Sequence, residues 1–197
     1  MLYKCITKIE SLFEKIWHPI WMPIYKSQFR SCGNAFSYKK LKIHGAKRIT
    51  IGNDVTIQEF TWIAAEPWTG DNNCQLVIGN RARIGAFNHI YATGSIIFED
   101  NVLTANSVYI TDNVHEYSDI NTPIWQQPIK QLNKVVIGEG SWIGEHVAII
   151  GASVGKHSVI GANAVVTHDI PDYCVAVGSP AKVIKQYDIE TKKWIKI

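Results

Sequence analysis

The sequence of 197 residues lacks a long hydrophobic run, and its charges are nearly balanced. A membrane-spanning helix needs about 20 consecutive apolar residues, and no segment of the chain approaches that length. Twenty Lys and Arg against seventeen Asp and Glu leave a net charge of +3, which is weak support for nucleic-acid binding. With 46% hydrophobic residues the chain is too apolar for a disordered protein, and its length favours one domain.

Cysteine is also scarce, and its positions follow no metal-binding or redox motif. The four cysteines are Cys5, Cys32, Cys74 and Cys174, far apart and without a CxxC pair. A chain of this length needs no disulfide to stabilise its core, and its first residues contain no small-residue cleavage site. We therefore expect reduced thiols in a cytoplasmic protein, and none of them lies in a recognisable catalytic context.

What the sequence does contain is an aliphatic residue at every sixth position, often followed by glycine. The three runs are Ile51, Ile57, Ile63; then Ile78, Ile84, Ile90, Ile96, Val102, Val108; and Ile137, Ile143, Ile149, Val154, Ile160, Val166, with one five-residue step. A period of six fits neither a helix nor a simple alternating strand. It predicts a short strand and a tight turn, and three such units would close one coil of about 18 residues around an aliphatic core.

Three segments, IGNRARIG, VVIGEGSWIGEHVAIIGASVGKHSVIGANAVVTHDIP and VGSPAKVIK, carry a resemblance to a known family. They resemble the hexapeptide-repeat acyltransferases, and more narrowly the sugar and polysaccharide O-acetyltransferase branch that includes galactoside and maltose acetyltransferases. The resemblance covers roughly residues 41–187. It implies an all-β, left-handed parallel β-helix that works as a homotrimer, whereas the period alone implies neither the handedness nor the trimer.

The chain is predicted to have three parts. Residues 1–40 form an N-terminal helical and irregular segment, and residues 41–171 form the parallel β-helix. Residues 172–197 leave the six-residue period, and we expect an extended segment followed by a short helix that caps the C-terminal end.

The first part contains apolar residues at helical spacing, which predict an amphipathic helix that ends at Pro19. Pro23 indicates irregular backbone in the next few residues. The helix is expected to cap the open end of the β-helix or to pack on a subunit. Its aromatic continuation HPIWMPIY leaves peripheral membrane contact through residues 1–25 as an open alternative.

The six-residue period is interrupted twice, and loops on a rigid scaffold commonly carry function. Between Ile63 and Ile78 the segment AAEPWTGDNNC predicts a small protruding loop, for which a plain surface turn is the alternative. The larger interruption predicts a protruding loop over residues 112–136, which contains His115 and Trp125. A loop of this length without secondary structure is usually functional or disordered, and its apolar residues favour packing against a neighbouring subunit.

His115 is the candidate catalytic residue. The motif D-N-V-H-E-Y-S-D at residues 112–119 resembles the family's active-site segment, although Asn113 stands where that family often has a second histidine. An imidazole with a pKa of about 6.5 is an effective base for a sugar hydroxyl that attacks a thioester. Glu116, Asp119 or a backbone carbonyl could orient the ring. Direct attack requires no acyl-enzyme, in agreement with the lack of a placed Ser or Cys nucleophile.

Other polar residues receive weaker assignments. Asn88 and His89 end a hexad one coil before the larger interruption, and we expect them to contact the substrate in the same groove. The histidines expected to be structural or surface residues are His18, His44, His146 and His157.

The resemblance implies acetyl-CoA as the second substrate, with its pantetheine arm in the groove between neighbouring β-helices. Matching the family's motifs assigns coenzyme contacts to Glu145, Ala162, Thr167, His168, Lys182 and Lys185. The two lysines would pair with the nucleotide phosphates, unless they merely lie on a solvated face. Glu145 and His168 depart from the family's usual residues, so their backbone groups are the safer contacts. Trp142 is too large for an inward corner and is expected to point outward. Plain packing is the favoured interpretation, and a place in the coenzyme groove or the subunit interface is the alternative.

These observations predict an acetyl-CoA-dependent O-acetyltransferase acting on a sugar or a surface-polysaccharide precursor. N-acetylation of a nucleotide-linked amino sugar and a non-catalytic β-helix scaffold remain as alternatives. Related β-helical proteins bind zinc between subunits through three histidines. Here His115, His146 and His157 fall on unrelated coils, so we expect no metal.

Overall fold

The computed structural model describes residues 21–34, 36–38 and 40–197, and they form a left-handed parallel β-helix. In chain order the strands are β1 (Ser31–Cys32), β2 (Phe36–Tyr38), β3 (Lys42–His44), β4 (Ile49–Ile51), β5 (Val55–Ile57), β6 (Trp62–Ala65), β7 (Gln75–Ile78), β8 (Arg83–Ile84), β9 (His89–Ala92), β10 (Ser95–Phe98), β11 (Leu103–Thr104), β12 (Tyr109–Thr111), β13 (Asn113–His115), β14 (Ile129–Gln131), β15 (Val135–Ile137), β16 (Trp142–Ile143), β17 (Ala148–Ile150), β18 (Val159–Ile160), β19 (Val165–Val166), β20 (Cys174–Val177), β21 (Lys182–Asp188) and β22 (Lys193–Lys196). Short 3-10 helices span Ala46–Arg48 and Ile124–Gln126. The predicted fold class is confirmed.

Each coil contributes one strand to each of three sheets, so the stacked coils form a triangular prism. Sheet A contains β1, β4, β7, β10 and β15; sheet B contains β2, β5, β8, β11, β16, β18 and β20; sheet C contains β3, β6, β9, β12, β17 and β19. Neighbouring strands within these sets pair in parallel. The first coil begins at β1, about ten residues before the predicted boundary at residue 41. The six-residue pattern did not indicate this strand, because Cys32 stands there in place of the inward aliphatic residue.

The aliphatic residues of the six-residue series form the core, and each is at most 2% exposed. Burial of one such side chain contributes about 1.5–3 kcal/mol, so the repeat itself supplies the main stabilisation of the fold. The glycine that often follows the aliphatic residue allows the coils to stack closely. A Cβ at Gly85, for example, would collide with the backbone of Ala105 in the next coil.

The turns of successive coils line up along the three edges of the prism. The turns from sheet B to sheet C form the B–C edge, which includes residues 85–88, 144–147 and 161–164. The turns from sheet C to sheet A form the C–A edge, which includes the small loop (residues 66–74), the large loop (residues 112–134) and residues 167–169.

The C-terminal end differs from the predicted helix. Strands β21 and β22 form an antiparallel hairpin, and β21 pairs antiparallel with β20, so the hairpin extends sheet B. The segment alternates lysines with Val183, Ile184 and Tyr187, and β-branched and aromatic residues of this kind favour strands. The hairpin pairs with the edge that β20 would otherwise expose, and the prediction of a C-terminal capping helix is wrong.

The predicted N-terminal helix lies outside the described residues, and so does most of the segment proposed to contact a membrane, residues 1–25. Residues 21–26 are helical, whereas irregular backbone was expected around Pro23. Proline has no N–H to donate, but the carbonyl of Pro23 accepts from the N–H of Ser27 at 3.0 Å. Met22 and Phe29 are buried in the core cluster, so this part of the segment packs on the β-helix. In the described ranges no helix is both long and apolar enough to span a bilayer.

Candidate active site

The two interruptions of the repeat meet at the C–A edge. Both loops leave the end of a sheet C strand, the small loop after β6 and the large loop after β12. The large loop has secondary structure of its own, contrary to expectation, because β13 and β14 pair as an antiparallel hairpin with Ile124–Gln126 near its tip. Within the tip, Gln127 donates to the carbonyls of Asp119 and Thr122 at 2.8 Å each. The hairpin is therefore an ordered arm.

Gln131 fastens this arm to two other coils. Its Oε1 accepts from the hydroxyl of Thr69 in the small loop at 2.7 Å and from that of Thr93 at 2.8 Å. Its Nε2 donates to the carbonyl of Asp112 at 2.8 Å. The small loop is thus a support for the large one, rather than a plain surface turn.

The carboxylate of Asp112 fixes the base of the arm from the other side. It is fully buried and accepts from the backbone N–H groups of Thr93, Gly94 and Ser95 at 2.7–2.8 Å. Removal of the carboxylate would leave these three N–H groups without a hydrogen-bond partner, which is costly for a buried donor. The sequence contained Asp112 in the catalytic motif, but only the fold shows that its role is structural.

His115 is the last residue of β13, where it lies opposite Ile129 and is exposed. The two carboxylates expected to orient its ring are engaged elsewhere. Glu116 accepts from the N–H groups of Tyr117 and Ser118, and these bonds together with Lys130 hold the pKa of its carboxyl below the usual value. Asp119 accepts from Asn121 and Thr122. In the described part of the protomer, no group forms a hydrogen bond with the ring of His115.

The tip of the arm presents a set of exposed apolar side chains, which are Tyr117, Ile120, Ile124 and Trp125. Ile120 is 93% exposed, which is unusual for an ordered isoleucine. Packing of this tip against a neighbouring subunit stays a prediction.

Asn88 does not face a groove, which corrects the expectation that it contacts a substrate. The side chain is 1% exposed. Its Nδ2 donates to Gly85, Thr104 and Ala105, and its Oδ1 accepts from the N–H of Val108. The amide thus closes the turn before β9, and both of its polar atoms are hydrogen-bonded within the protein.

His89 lies in a ladder of side chains on the outer face of sheet C. The ladder consists of Lys42, Trp62, His89 and Tyr109, which occupy equivalent positions on β3, β6, β9 and β12. The Lys42 ammonium lies 3.5 Å from the centroid of the Trp62 ring, and the Trp62 and His89 rings stack at 4.3 Å. Burial and the charge of Lys42 lower the pKa of His89. Trp62 and Tyr109 cover the faces of the His89 ring. Contact between His89 and a substrate stays a prediction.

Several of the predicted coenzyme residues lie on or beside the B–C edge. Glu145 and Ala162 occupy turns of successive coils, both exposed, and the N–H of Asn163 donates to the carbonyl of Glu145 at 2.8 Å. Trp142 points outward from sheet B, as predicted for its size, and is half exposed.

The outer face of sheet B carries an apolar stripe that ends in lysines. In register across the strands lie Leu103, Trp142, Val159, Val175, Lys185 and Lys196. A bulge in β21 places Lys182 opposite Val177 and Lys185 opposite Val175, so both lysines share the outer face. Without the bulge, residues three apart in a strand would point to opposite faces. The sequence did not indicate Lys196, because its segment was predicted to be helical.

Thr167 and His168 lie on the other edge, C–A, where the Thr167 hydroxyl is 3.1 Å from Nδ1 of His168. The predicted coenzyme residues are therefore divided between two edges of the prism. Sheet C separates His115 from Glu145, Ala162 and the lysines.

The thiols of the described cysteines are not activated by their surroundings. Burial raises the pKa of Cys74 to about 11, and the pKa values of Cys32 and Cys174 are also raised. These thiols are free and remain protonated near neutral pH. Across the described ranges, no group of three or more His, Cys, Asp or Glu residues is placed to hold a metal ion.

Comparisons with known proteins agree with this architecture. A family model described as the hexapeptide repeat of succinyl-transferase matches residues 134–168. A probable acetyltransferase of Mycobacterium tuberculosis is 36% identical over 157 residues, which is 78% of this chain and 50% of the relative. The putative lipopolysaccharide biosynthesis O-acetyl transferase WbbJ of Escherichia coli is 35% identical and covers 61% of this chain and 65% of its own length. The chain thus spans half to about two thirds of these relatives.

Among solved structures, a mutant of the N-acyltransferase AntD from Bacillus cereus has a similar fold. That structure contains dTDP-4-amino-4,6-dideoxyglucose and coenzyme A. It superposes with a TM-score of 0.71 and 23% identity, and it covers 86% of this chain and 90% of its own.

Proposed function

Because this chain belongs to the hexapeptide-repeat acyltransferase family, we propose that it transfers an acetyl group from acetyl-CoA to a hydroxyl of a sugar or surface-polysaccharide precursor in the cytoplasm. The observation that carries the proposal is the placement of His115 on an arm that Gln131 and Asp112 fasten to the prism. An exposed imidazole on a rigid support is suited to proton transfer with a bound acceptor. The name of the Escherichia coli relative supports a polysaccharide acceptor.

In the proposed reaction, neutral His115 takes the proton of the acceptor hydroxyl as its oxygen attacks the thioester carbonyl carbon. The tetrahedral intermediate then collapses, the carbon–sulfur bond breaks, and the coenzyme A thiolate takes the proton from the imidazolium. The products are the acetyl ester and free coenzyme A, so no acyl-enzyme and no net proton change on the protein are needed.

The stripe on sheet B fits the chemistry of acetyl-CoA. Trp142, Val159 and Val175 offer an apolar track for the pantetheine arm, and Lys182 and Lys185 lie at its end with positive charge for the phosphates. Lys196 is paired with Lys185 and adds a third cation.

The division of these residues between two edges supports a site shared by two protomers of a homotrimer. His115 of one protomer would act beside the B–C edge of the next, where Glu145, Ala162 and Trp142 lie. Thr167 and His168, on the same edge as His115, would then contact a coenzyme molecule that lies along a neighbouring protomer.

N-acetylation of a nucleotide-linked amino sugar is the second candidate. It is favoured by the ionised carboxylate of Glu66 on the C–A edge, which would pair with an amino group. The fold shared with AntD, a protein crystallised with such a sugar, supports the same alternative.

A coenzyme A release assay over a panel of sugars and nucleotide-linked amino sugars tests the proposal. We expect His115→Ala to lower kcat by a factor of about 10² or more, with little change in the KM for acetyl-CoA. His157→Ala, an exposed histidine on the A–B side of the prism, is the matched control and should retain wild-type rates. Equal rates for His115→Ala and wild type would remove His115 from the mechanism.

A further inference from the structure

Trp68, in the small loop, combines high exposure with a fixed orientation. The side chain is 65% exposed, yet its indole N–H donates to the hydroxyl of Tyr91 at 2.8 Å and to Oε2 of Glu66 at 3.1 Å. A tryptophan side chain is usually held in place by groups that pack over its ring. Here the ring is held in place by its N–H, so a ligand that stacks on it need not first immobilise the side chain.

Glu66 provides an ionised oxygen beside this ring. Oε2 accepts from Tyr91 at 2.7 Å and from Trp68, and it lies 3.6 Å from Nδ1 of His44. Within the described residues Oε1 receives no hydrogen bond, and the side chain is 27% exposed. Burial acts to raise the pKa of Glu66, but the bonds from Tyr91 and Trp68 and the proximity of His44 outweigh it and hold the pKa below its usual value. The carboxylate is therefore an acceptor at neutral pH.

Tyr91 ties this pair to the arm that carries His115. Its hydroxyl remains a donor because burial and the Glu66 carboxylate raise its pKa to about 12. Its backbone carbonyl accepts from Nδ2 of Asn113, two residues before His115, at 3.4 Å. Thr69, next to Trp68, bonds to Gln131 on the other strand of the hairpin. Trp68 and Glu66 thus lie at the foot of the arm.

We propose that Trp68 and Glu66 form the subsite that holds the acceptor, and that it takes a pyranose ring. The apolar C–H face of the ring lies on the indole, and a ring hydroxyl donates to Oε1 of Glu66. A sugar presents an apolar face edged by hydroxyl donors, and a fixed aromatic ring with an adjacent carboxylate is complementary to both. This inference rests on the proposed function, because the sugar held here is the one that His115 deprotonates.

The test uses the full-length protein with methyl β-D-galactopyranoside, methyl α-D-glucopyranoside and methyl β-D-glucosaminide as probes. Binding is measured by saturation-transfer NMR without acetyl-CoA, and turnover is measured by coenzyme A release. For a probe that the wild type acetylates, we expect Trp68→Ala to raise the KM for that probe about tenfold. The kcat and the KM for acetyl-CoA should change by less than about twofold. The saturation-transfer signal of that probe should weaken correspondingly.

Two further variants separate the stacking and the carboxylate from general damage. Trp68→Phe keeps an aromatic face and should recover most of the affinity, whereas Glu66→Gln should weaken binding without loss of the folded state. Trp21→Ala is the control, since Trp21 is an exposed tryptophan in the helical residues 21–26, outside both loops. It should leave the acceptor KM unchanged.

The outcomes distinguish this inference from the proposed function. An acceptor KM that is unchanged in Trp68→Ala would overturn the subsite and leave the acetyltransferase standing. Glycoside binding that depends on Trp68, without acetyl transfer to any acceptor, would keep the subsite and overturn the proposed reaction. If no probe binds or reacts with the wild type, the pyranose subsite is refuted.

Discussion

His89 illustrates how the position of a single side chain sets its protonation. The ring lies between Trp62 and Tyr109, and its Nε2 is buried with no hydrogen-bond partner among the described residues. An imidazolium in this position would lose hydration and face the charge of Lys42, so both effects lower its pKa. The ladder is therefore built around a neutral histidine.

This arrangement predicts a pH dependence of stability. Below the unfolded value of 6.5 the unfolded chain takes up a proton that the folded His89 does not, so stability falls as the pH falls and levels off below the folded pKa. Above pH 6.5 His89 is neutral in both the folded and the unfolded chain, so it contributes no pH dependence to the stability. We expect the thermal midpoint of wild type to drop more between pH 8 and about pH 5 than that of His89→Phe, which keeps a ring in the ladder.

The matched variant is His157→Phe, which removes an exposed histidine. Its midpoint should follow the wild-type pH curve. If His89→Phe also follows that curve, the charged form of His89 is tolerated in the fold.

The arm of β13 and β14 shows how an element outside the repeat acquires a defined position. It has few apolar contacts of its own at the tip, and its position depends on polar bonds from Gln131 and Asp112 to residues of earlier coils. Buried networks of this kind specify one geometry because every member is satisfied.

Gln131→Leu removes the bonds to Thr69, Thr93 and Asp112 while it keeps a side chain of similar size. We expect amide hydrogen exchange in residues 113–131 to accelerate by a factor of about 10², since each of the three lost bonds contributes about 1 kcal/mol. The kcat of acetyl transfer should fall with it, because the imidazole is no longer positioned. Lys130→Ala, on the same strand but exposed, is the control. Unchanged exchange in Gln131→Leu would mean that the hairpin positions itself.

In the whole molecule, the two halves of the proposed chemistry lie on different edges of the prism. His115 projects from the C–A edge, and the lysine-ended stripe occupies the outer face of sheet B. A closed ring of three identical protomers brings unlike edges together at each interface, which a single prism does not.

Mixing two impaired variants tests whether one site uses two protomers. His115→Ala lacks the base, and Lys182→Ala with Lys185→Ala should raise the KM for acetyl-CoA. Random trimers from an equal mixture, co-expressed and assayed at low acetyl-CoA, should regain about a quarter of the wild-type sites. Each restored site pairs His115 of one protomer with the lysines of the next. The mixture would show only the sum of its components if each protomer held a complete site.

The period of the core, the class of the fold and the places where the repeat breaks follow from the sequence alone. These features are local, since one aliphatic residue in every six determines which side chain points inward, and loops must appear where that spacing fails. The candidate His115 was chosen because it lies in the larger break and because its motif resembles the family's active-site segment.

The tertiary structure decided which residues of different coils meet. Thr69 and Gln131 bond although they are 62 positions apart, and Trp68, Glu66 and Tyr91 come together only because β6 and β9 lie side by side. The pairing of β21 with β20 likewise arose at an open sheet edge, and the pairing of β22 with β21 brought Lys196 beside Lys185. Stacking of coils creates such contacts between residues that have no common pattern in the chain, so the local sequence does not predict them.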